Sequence, residues 1–201
     1  MGETLTTSGV DAEAGATEAA DTRLAEAVLR KDRKATAEFV ERHSDAVYAY
    51  LRRRMIPRVD LVDDMLQEVF LAAWRNLDRY QGNAPLKSWL LGIARHKVED
   101  HYRERLRAFD SLGPEEETPA AMSVTPLHDA RMDSERMQER VSRVLQQLPD
   151  VYSAALLWRY WEHRSAAEMA ERTGKTTKAV ERILARAREH FKRRWKHEVS
   201  A

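Results

Sequence analysis

Side chains able to do covalent chemistry are scattered through this 201-residue chain, whereas side chains able to hold a nucleic acid are concentrated. There is no cysteine, which excludes disulfides, thiol catalysis and cysteine-ligated zinc and fits a reducing cytoplasm. His96 and His101 are five residues apart and do not share a helix face, so they do not make the histidine pair of a zinc protease. His43 lies among apolar positions at helical spacing and reads as a half-buried core residue. Gly174-Lys175-Thr176 imitates the end of a phosphate-binding loop, but Met169 stands where that loop needs glycine and the context is helical. No carboxylate pair, activated nucleophile or metal cluster stands out. We expect no enzyme, no cofactor and no metal site.

Cations and aromatic rings tell a different story. From Arg172 to Lys196 ten Lys/Arg face two Glu, although the whole chain carries a net charge of only +1. Earlier, the turn Asp78-Arg-Tyr-Gln-Gly-Asn83 leads into a helix that turns basic at Arg95, Lys97, Arg103, Arg105 and Arg107. Aromatic residues in a turn beside a basic helix suit a single strand, because bases stack on rings while cations track phosphates. Two core helices with a solvated charged face would read the same way.

Helical periodicity positions these groups. Between Asp60 and Leu77, at about 100° per residue, Val62, Met65, Leu66, Val69, Ala73 and Leu77 fill one arc, a core face. Asp64, Gln67, Glu68, Leu71 and Arg75 gather opposite, a polar face holding one leucine. Asp60 is placed to cap this helix. Gly82 and Asn83 break it, and Pro85 suits the first position of the next helix. That helix buries Leu86, Trp89, Leu90, Ile93 and Ala94. An earlier helical run carries Phe39, Val40, His43, Val47, Tyr50 and Leu51, then Arg52-Arg-Arg54, and ends at Pro57.

The second half repeats the logic. Met137, Val141, Val144, Leu145 and Leu148 form one stripe; Ala154, Leu157, Trp158 and Trp161 form another. Ser165 and Glu168 make a capping box, Gly174 suits a left-handed helix end, and Thr176 or Thr177 caps the next helix. Val180, Ile183, Leu184, Ala187 and Phe191 face inward, leaving Lys178, Glu181, Arg182, Ala185 and Arg186 outside. Two helices across a tight glycine turn describe a helix-turn-helix.

Residues 1–20 are small, polar and acidic, an expected disordered tail. Residues 108–130 carry three prolines and Glu115-Glu-Glu117, an expected flexible linker. The expected architecture is therefore all-α: one helical domain over 21–107 and a helix-turn-helix domain over 131–197. No apolar run approaches membrane-spanning length, and the first residues lack a basic stretch followed by an apolar one, so we expect no membrane span and no signal peptide.

Asp64-Met-Leu-Gln-Glu-Val-Phe70, Trp74, Tyr80-Gln-Gly82 and Trp89-Leu-Leu-Gly-Ile-Ala-Arg95 resemble region 2 of the extracytoplasmic-function (ECF) sigma factors of bacterial RNA polymerase. Leu148-Pro149, Arg159-Tyr-Trp-Glu162, Ala170-Glu-x-x-Gly174 and Lys178-Ala-Val-x-x-x-Leu-x-Arg-Ala-Arg188 resemble region 4. The departures are Gln81, Lys175, Glu181 and Ile183, which bear on promoter sequence rather than fold. The resemblance implies a cytoplasmic initiation factor that binds and does no covalent chemistry. Asp64, Gln67, Glu68, Leu71 and Arg75 would dock on the β′ clamp helices of core polymerase, whose β flap is a second contact. Tyr80, Gln81, Gly82, Asn83, Lys87, Trp89, Arg95 and Lys97 would hold the melted −10 strand. Lys175, Thr176, Thr177, Lys178, Glu181, Arg182, Arg186 and Arg188 would read the −35 duplex. An anti-sigma factor is a further partner it allows. The competing readings are a duplex-binding regulator that works without polymerase, and an enzyme.

Overall fold

The computed structural model describes the backbone of residues 7–109 and 131–200, with side chains over 17–109 and 137–198. Among the described residues there are eight α-helices and no strand. They are α1 (Thr7–Leu29), α2 (Arg33–Arg54), α3 (Val62–Asn76), α4 (Leu86–Ala108), α5 (Arg131–Gln146), α6 (Asp150–Leu156), α7 (Ala166–Thr173) and α8 (Thr177–Ser200). Contacts divide the chain into two compact units: residues up to Leu51 with Leu61–Lys97, and Arg52–Asp60 with the residues from Val98 on. The boundary expected at residue 107 thus falls inside the second unit.

The first helix corrects the expected tail, because it begins at Thr7. Five alanines between residues 12 and 20 have high helix propensity. The turn holding Leu24, Ala25 and Val28, all buried, supplies the nucleus from which helix can extend outward at little cost. Residues 1–6, and residues 110–130 of the expected linker, lie outside the described residues.

In the first unit Asp32 starts α2 by accepting the amides of Lys34 at 2.8 Å and Ala35 at 3.2 Å. Phe39, His43, Val47 and Leu51 then form its buried stripe. Phe39 meets Phe70 of α3 edge-on at 5.7 Å between centroids, and His43 at the same distance. Val62, Val69, Ala73 and Leu77 are buried as their spacing requires, and Phe70 joins them, whereas Met65 and Leu66 are half-buried. Leu86, Leu90 and Ala94 of α4 complete the core, with Trp89 and Ile93 at its margin. Asp60 does not cap α3. It lies in a 3-10 turn (Val59–Leu61), its carboxylate takes Arg58 at 2.7 Å, and the cap residue Leu61 offers no side-chain acceptor. Pro85 stands one position before α4, its carbonyl accepting the Trp89 amide at 3.1 Å.

In the second unit Val98, Tyr102 and Leu106 are buried, as are Val144, Leu145, Leu148, Trp158, Met169 and Leu184. Met137, expected in the α5 stripe, is exposed. Several polar groups inside are paired: Tyr102 donates to the Arg54 carbonyl at 2.6 Å, and Ser153 to that of Leu145 at 2.8 Å. Glu99 is buried and receives Arg164 at 2.7 Å and Arg172 at 3.3 Å. Trp161 departs from its expected inward place. Leu157–Trp161 forms a π turn, with the Glu162 amide bonding five residues back to the Leu157 carbonyl at 3.1 Å. The wider turn breaks the 3.6-residue phase. Trp161 swings out and its ring lies 4.7 Å from the Arg54 guanidinium.

Burial lowers the pKa of His43, with the neighbouring Arg42 charge adding to it, and burial likewise lowers His101 and His190. An unfolded chain then binds protons below about pH 6.5 that the folded chain does not. Stability is therefore complete above that pH and is lost as pH falls toward the depressed folded values. We expect a lower melting temperature at about pH 5 than at about pH 7.5, with a smaller drop in His43→Asn. An equal drop in that variant would remove His43 as a source.

Candidate nucleic-acid interface

Side chains opposite the core of α3 point into solvent. Asp64, Gln67, Glu68, Leu71 and Arg75 are all exposed, and Leu71 keeps 46 % of its surface. Trp74, three residues beyond Leu71 on the same side, is also exposed at 39 % and extends that face. Its spacing from Leu71 was the signal available in the sequence. An apolar patch inside a charged surface is what a protein partner recognises. Glu68 reaches Lys97 of α4 at 2.8 Å, so one member of this face is tied to one expected strand-binding cation.

The turn after α3 is ordered by its own residues. Leu77–Arg79 makes a 3-10 turn, then Tyr80 leaves in an extended conformation. The Tyr80 hydroxyl donates to the Ala84 carbonyl at 2.7 Å, and its ring lies 5.6 Å from that of Trp89. Burial raises the Tyr80 pKa, helped by the nearby charges of Asp21 and Glu18, so the phenol stays neutral and donating. Asn83 donates to the Gln81 side chain at 3.1 Å, and Gly82 has φ +73°. Gln81, Asn83, Lys87 and Arg95 are exposed; Tyr80, Gly82, Trp89 and Lys97 are half-buried. The structure therefore brings the ring pair against the polar turn, while Arg95 and Lys97 lie further along α4.

The helix-turn-helix forms as its spacing requires. The Ser165 hydroxyl accepts the Glu168 amide at 3.2 Å while Glu168 accepts the Ser165 amide at 2.7 Å. These bonds hold the Glu168 carboxyl below the usual carboxylate range. Gly174 ends α7 at φ +72°, and Thr176, rather than Thr177, caps α8 by accepting the Ala179 amide at 3.1 Å. Val180, Ile183, Leu184 and Ala187 are buried, while Phe191 is half-buried and stacks on Trp195 at 5.7 Å. Ser165→Ala removes one arm of the capping box, and we expect a loss of about 1 kcal/mol measured by urea unfolding. No change would mean that solvent caps α7 equally well.

The outward side of α8 begins with Thr177, Lys178, Glu181 and Arg182, all exposed along with Thr176. Arg186 and Arg188 are half-buried, and Arg188 lies 3.4 Å from the Tyr160 hydroxyl. Lys175 differs from the rest of the expected duplex-reading set, because its ammonium donates to the Phe109 carbonyl at 2.8 Å. Among the described residues no group of three or more His, Asp or Glu could hold a metal, and no helix is long and apolar enough to cross a membrane.

Comparison with known proteins assigns both halves. The Sigma-70 region 2 family matches residues 39–108, and the Sigma-70 region 4 family matches residues 138–191. The RNA polymerase sigma factor CnrH of Cupriavidus metallidurans is 31 % identical over 176 residues, covering 85 % of this chain and 92 % of that protein. ECF RNA polymerase sigma factor SigD of Mycobacterium tuberculosis is 34 % identical over 176 residues, covering 86 % and 82 %. The solved structure of CnrH in complex with the cytosolic domain of CnrY covers 86 % of this chain and 95 % of that one, at 26 % identity and a TM-score of 0.40. With relatives of this identity matched over most of their length and both sigma regions present in order, the chain belongs to the ECF RNA polymerase sigma factors.

Proposed function

We propose that this sigma factor divides its work among three surfaces. Asp64, Gln67, Glu68, Leu71 and Arg75, extended by Trp74, dock on the β′ clamp helices of core polymerase. Tyr80 to Lys87 with Trp89, Arg95 and Lys97 hold the melted −10 strand, and α8 with Thr176 reads the −35 duplex. The observation that carries the reading is the exposed leucine and tryptophan on an otherwise charged helix face. A regulator that bound only duplex would leave that face without a use.

Holding a melted strand needs a base taken from the stack, at a few kcal/mol. Stacking on a ring such as Tyr80 or Trp89, at about 1–3 kcal/mol per base, can offset that cost. On α8, the exposed start of the helix presents Lys178, Glu181 and Arg182 to base edges, while Arg186 and Arg188 further along suit phosphates. The acidic Glu181 suits a cytosine amine, and the two neighbouring cations keep the surface attractive to the backbone. The mechanism is binding throughout, and the polymerase supplies the bond-making site. An anti-sigma factor is a further partner that the family resemblance implies.

Run-off transcription with purified bacterial core polymerase, on a pool of promoter fragments from the source genome, tests the whole reading. Specific transcripts that depend on this protein support it. No transcripts and no complex with core on gel filtration would return the chain to the regulator reading. Arg182→Ala separates the surfaces: we expect roughly a tenfold loss of duplex affinity with core binding unchanged. A loss of core affinity in that variant would refute the division of labour.

A further inference from the structure

Asp21 is a buried carboxylate, 2 % exposed, on a helix far in sequence from the strand-binding turn. Its Oδ2 accepts the backbone N–H of Leu86 at 2.8 Å. Leu86 is the first residue of α4, so this N–H has no partner within the helix. Nearby residues cannot supply the cap. Ala84 and Pro85, which precede the helix, have no side-chain acceptor, and the Asn83 side chain is turned to Gln81, its Nδ2 donating to Oε1 at 3.1 Å. An oxygen from elsewhere must take that amide, and α1 delivers it.

The next residue of α1 makes the second attachment. A Cβ added to Gly82 would stand 2.9 Å from the Thr22 hydroxyl oxygen, which itself donates to the Glu18 carbonyl at 2.9 Å. The turn therefore lies directly against α1 at Thr22 and is tied to it at Asp21. The other oxygen, Oδ1, is buried without a hydrogen bond and faces the Arg42 guanidinium at 3.6 Å. Arg42 is thus placed to orient the carboxylate. Asp21 and Arg42 together form a brace between α1, α2 and the beginning of α4.

We propose that Asp21 is a positioning residue for capture of the melted strand: by capping α4 from α1 it holds the turn Tyr80–Pro85 in the shape that receives a base. It touches no nucleic acid itself. The proposal rests on the strand-capture reading of residues 80–97 given above, and it assigns α1 a part in promoter opening. A charged oxygen is not required for this role, because asparagine caps a helix as well as aspartate does.

The test uses the full-length protein assembled with core polymerase, and a fluorescent pool of random-sequence single-stranded 12-mers as the probe. Asp21→Ala is expected to weaken strand retention by roughly tenfold and Asp21→Asn by less than about twofold. Hydrogen exchange of the Leu86 amide should speed up in the alanine variant and stay slow in the asparagine one. Arg95→Ala serves as the control for the strand-capture reading. If Arg95→Ala loses the strand while Asp21→Ala keeps it, the positioning role is overturned and the reading stands. If Arg95→Ala keeps the strand, the reading fails and the proposal with it. Should Asp21→Ala not fold, Asp21→Asn decides alone: a folded asparagine variant that retains the strand supports the cap, and one that drops it overturns the cap.

Discussion

Leu71→Glu should weaken association with core polymerase by roughly 30- to 100-fold, measured by fluorescence anisotropy with labelled protein. The side chain is 46 % exposed, so the substitution leaves the core of the first unit alone and the fold should survive. On the bound surface the change does two things. It removes an apolar anchor worth about 1.4 kcal/mol, and it buries a new carboxylate beside Asp64 and Glu68, both exposed on the same side of α3. Leu71→Ala removes only the anchor and should lose about tenfold. The order glutamate worse than alanine is the diagnostic outcome. If both variants bind core as the parent does, and circular dichroism shows them folded, this side of α3 is not the docking surface.

Trp158→Ala should cost about 3–5 kcal/mol and leave the second unit unfolded or barely stable at 37 °C. Trp158 is fully buried, and its ring lies 6.5 Å from that of Tyr102, itself 1 % exposed. The indole N–H has no hydrogen-bond partner, so the side chain contributes through volume and contact rather than through a polar anchor. Trp158→Phe should therefore cost much less, about 1–2 kcal/mol, because it vacates only part of the space and leaves no donor stranded. Thermal unfolding followed by circular dichroism checks both. A phenylalanine variant as unstable as the alanine one would show that the indole N–H has a role these contacts do not display. The same experiment bears on function, since loss of the second unit should abolish duplex binding.

Local patterns in the chain are sufficient for most of its helices and for the side they turn outward. Val180, Ile183, Leu184 and Ala187 are spaced three and four apart, and they are buried; Lys178, Glu181 and Arg182 lie between them, and they are exposed. Ser165 with Glu168, and Gly174, act within one turn of the helix they bound, so nothing distant can change their geometry much. The face of Asp64 to Arg75 was legible for the same reason. Where a local rule failed, a local exception was responsible: the π turn Leu157–Trp161 adds a residue to one turn and moves Trp161 out of the stripe. The alanine-rich start of α1 reads as a tail because its composition lacks anything to bury, whereas helix continuing from a packed turn needs only propensity.

What the tertiary structure alone decided is which distant groups meet. Asp21 caps Leu86 across 65 residues, and Arg164 reaches the buried Glu99 across the same separation. Asp60 had the type and position of a helix cap, yet Arg58 takes its carboxylate. Lys175 belongs by spacing with the exposed cations of the helix-turn-helix, yet its ammonium is bound to the Phe109 carbonyl. Spacing along a helix determines which residues share a face, because 3.6 residues make a turn whatever the surroundings. It carries no information about a partner tens of residues away. For a charged or hydrogen-bonding group that choice is made by packing, which fixes where the helix ends lie and which polar atoms lose water together.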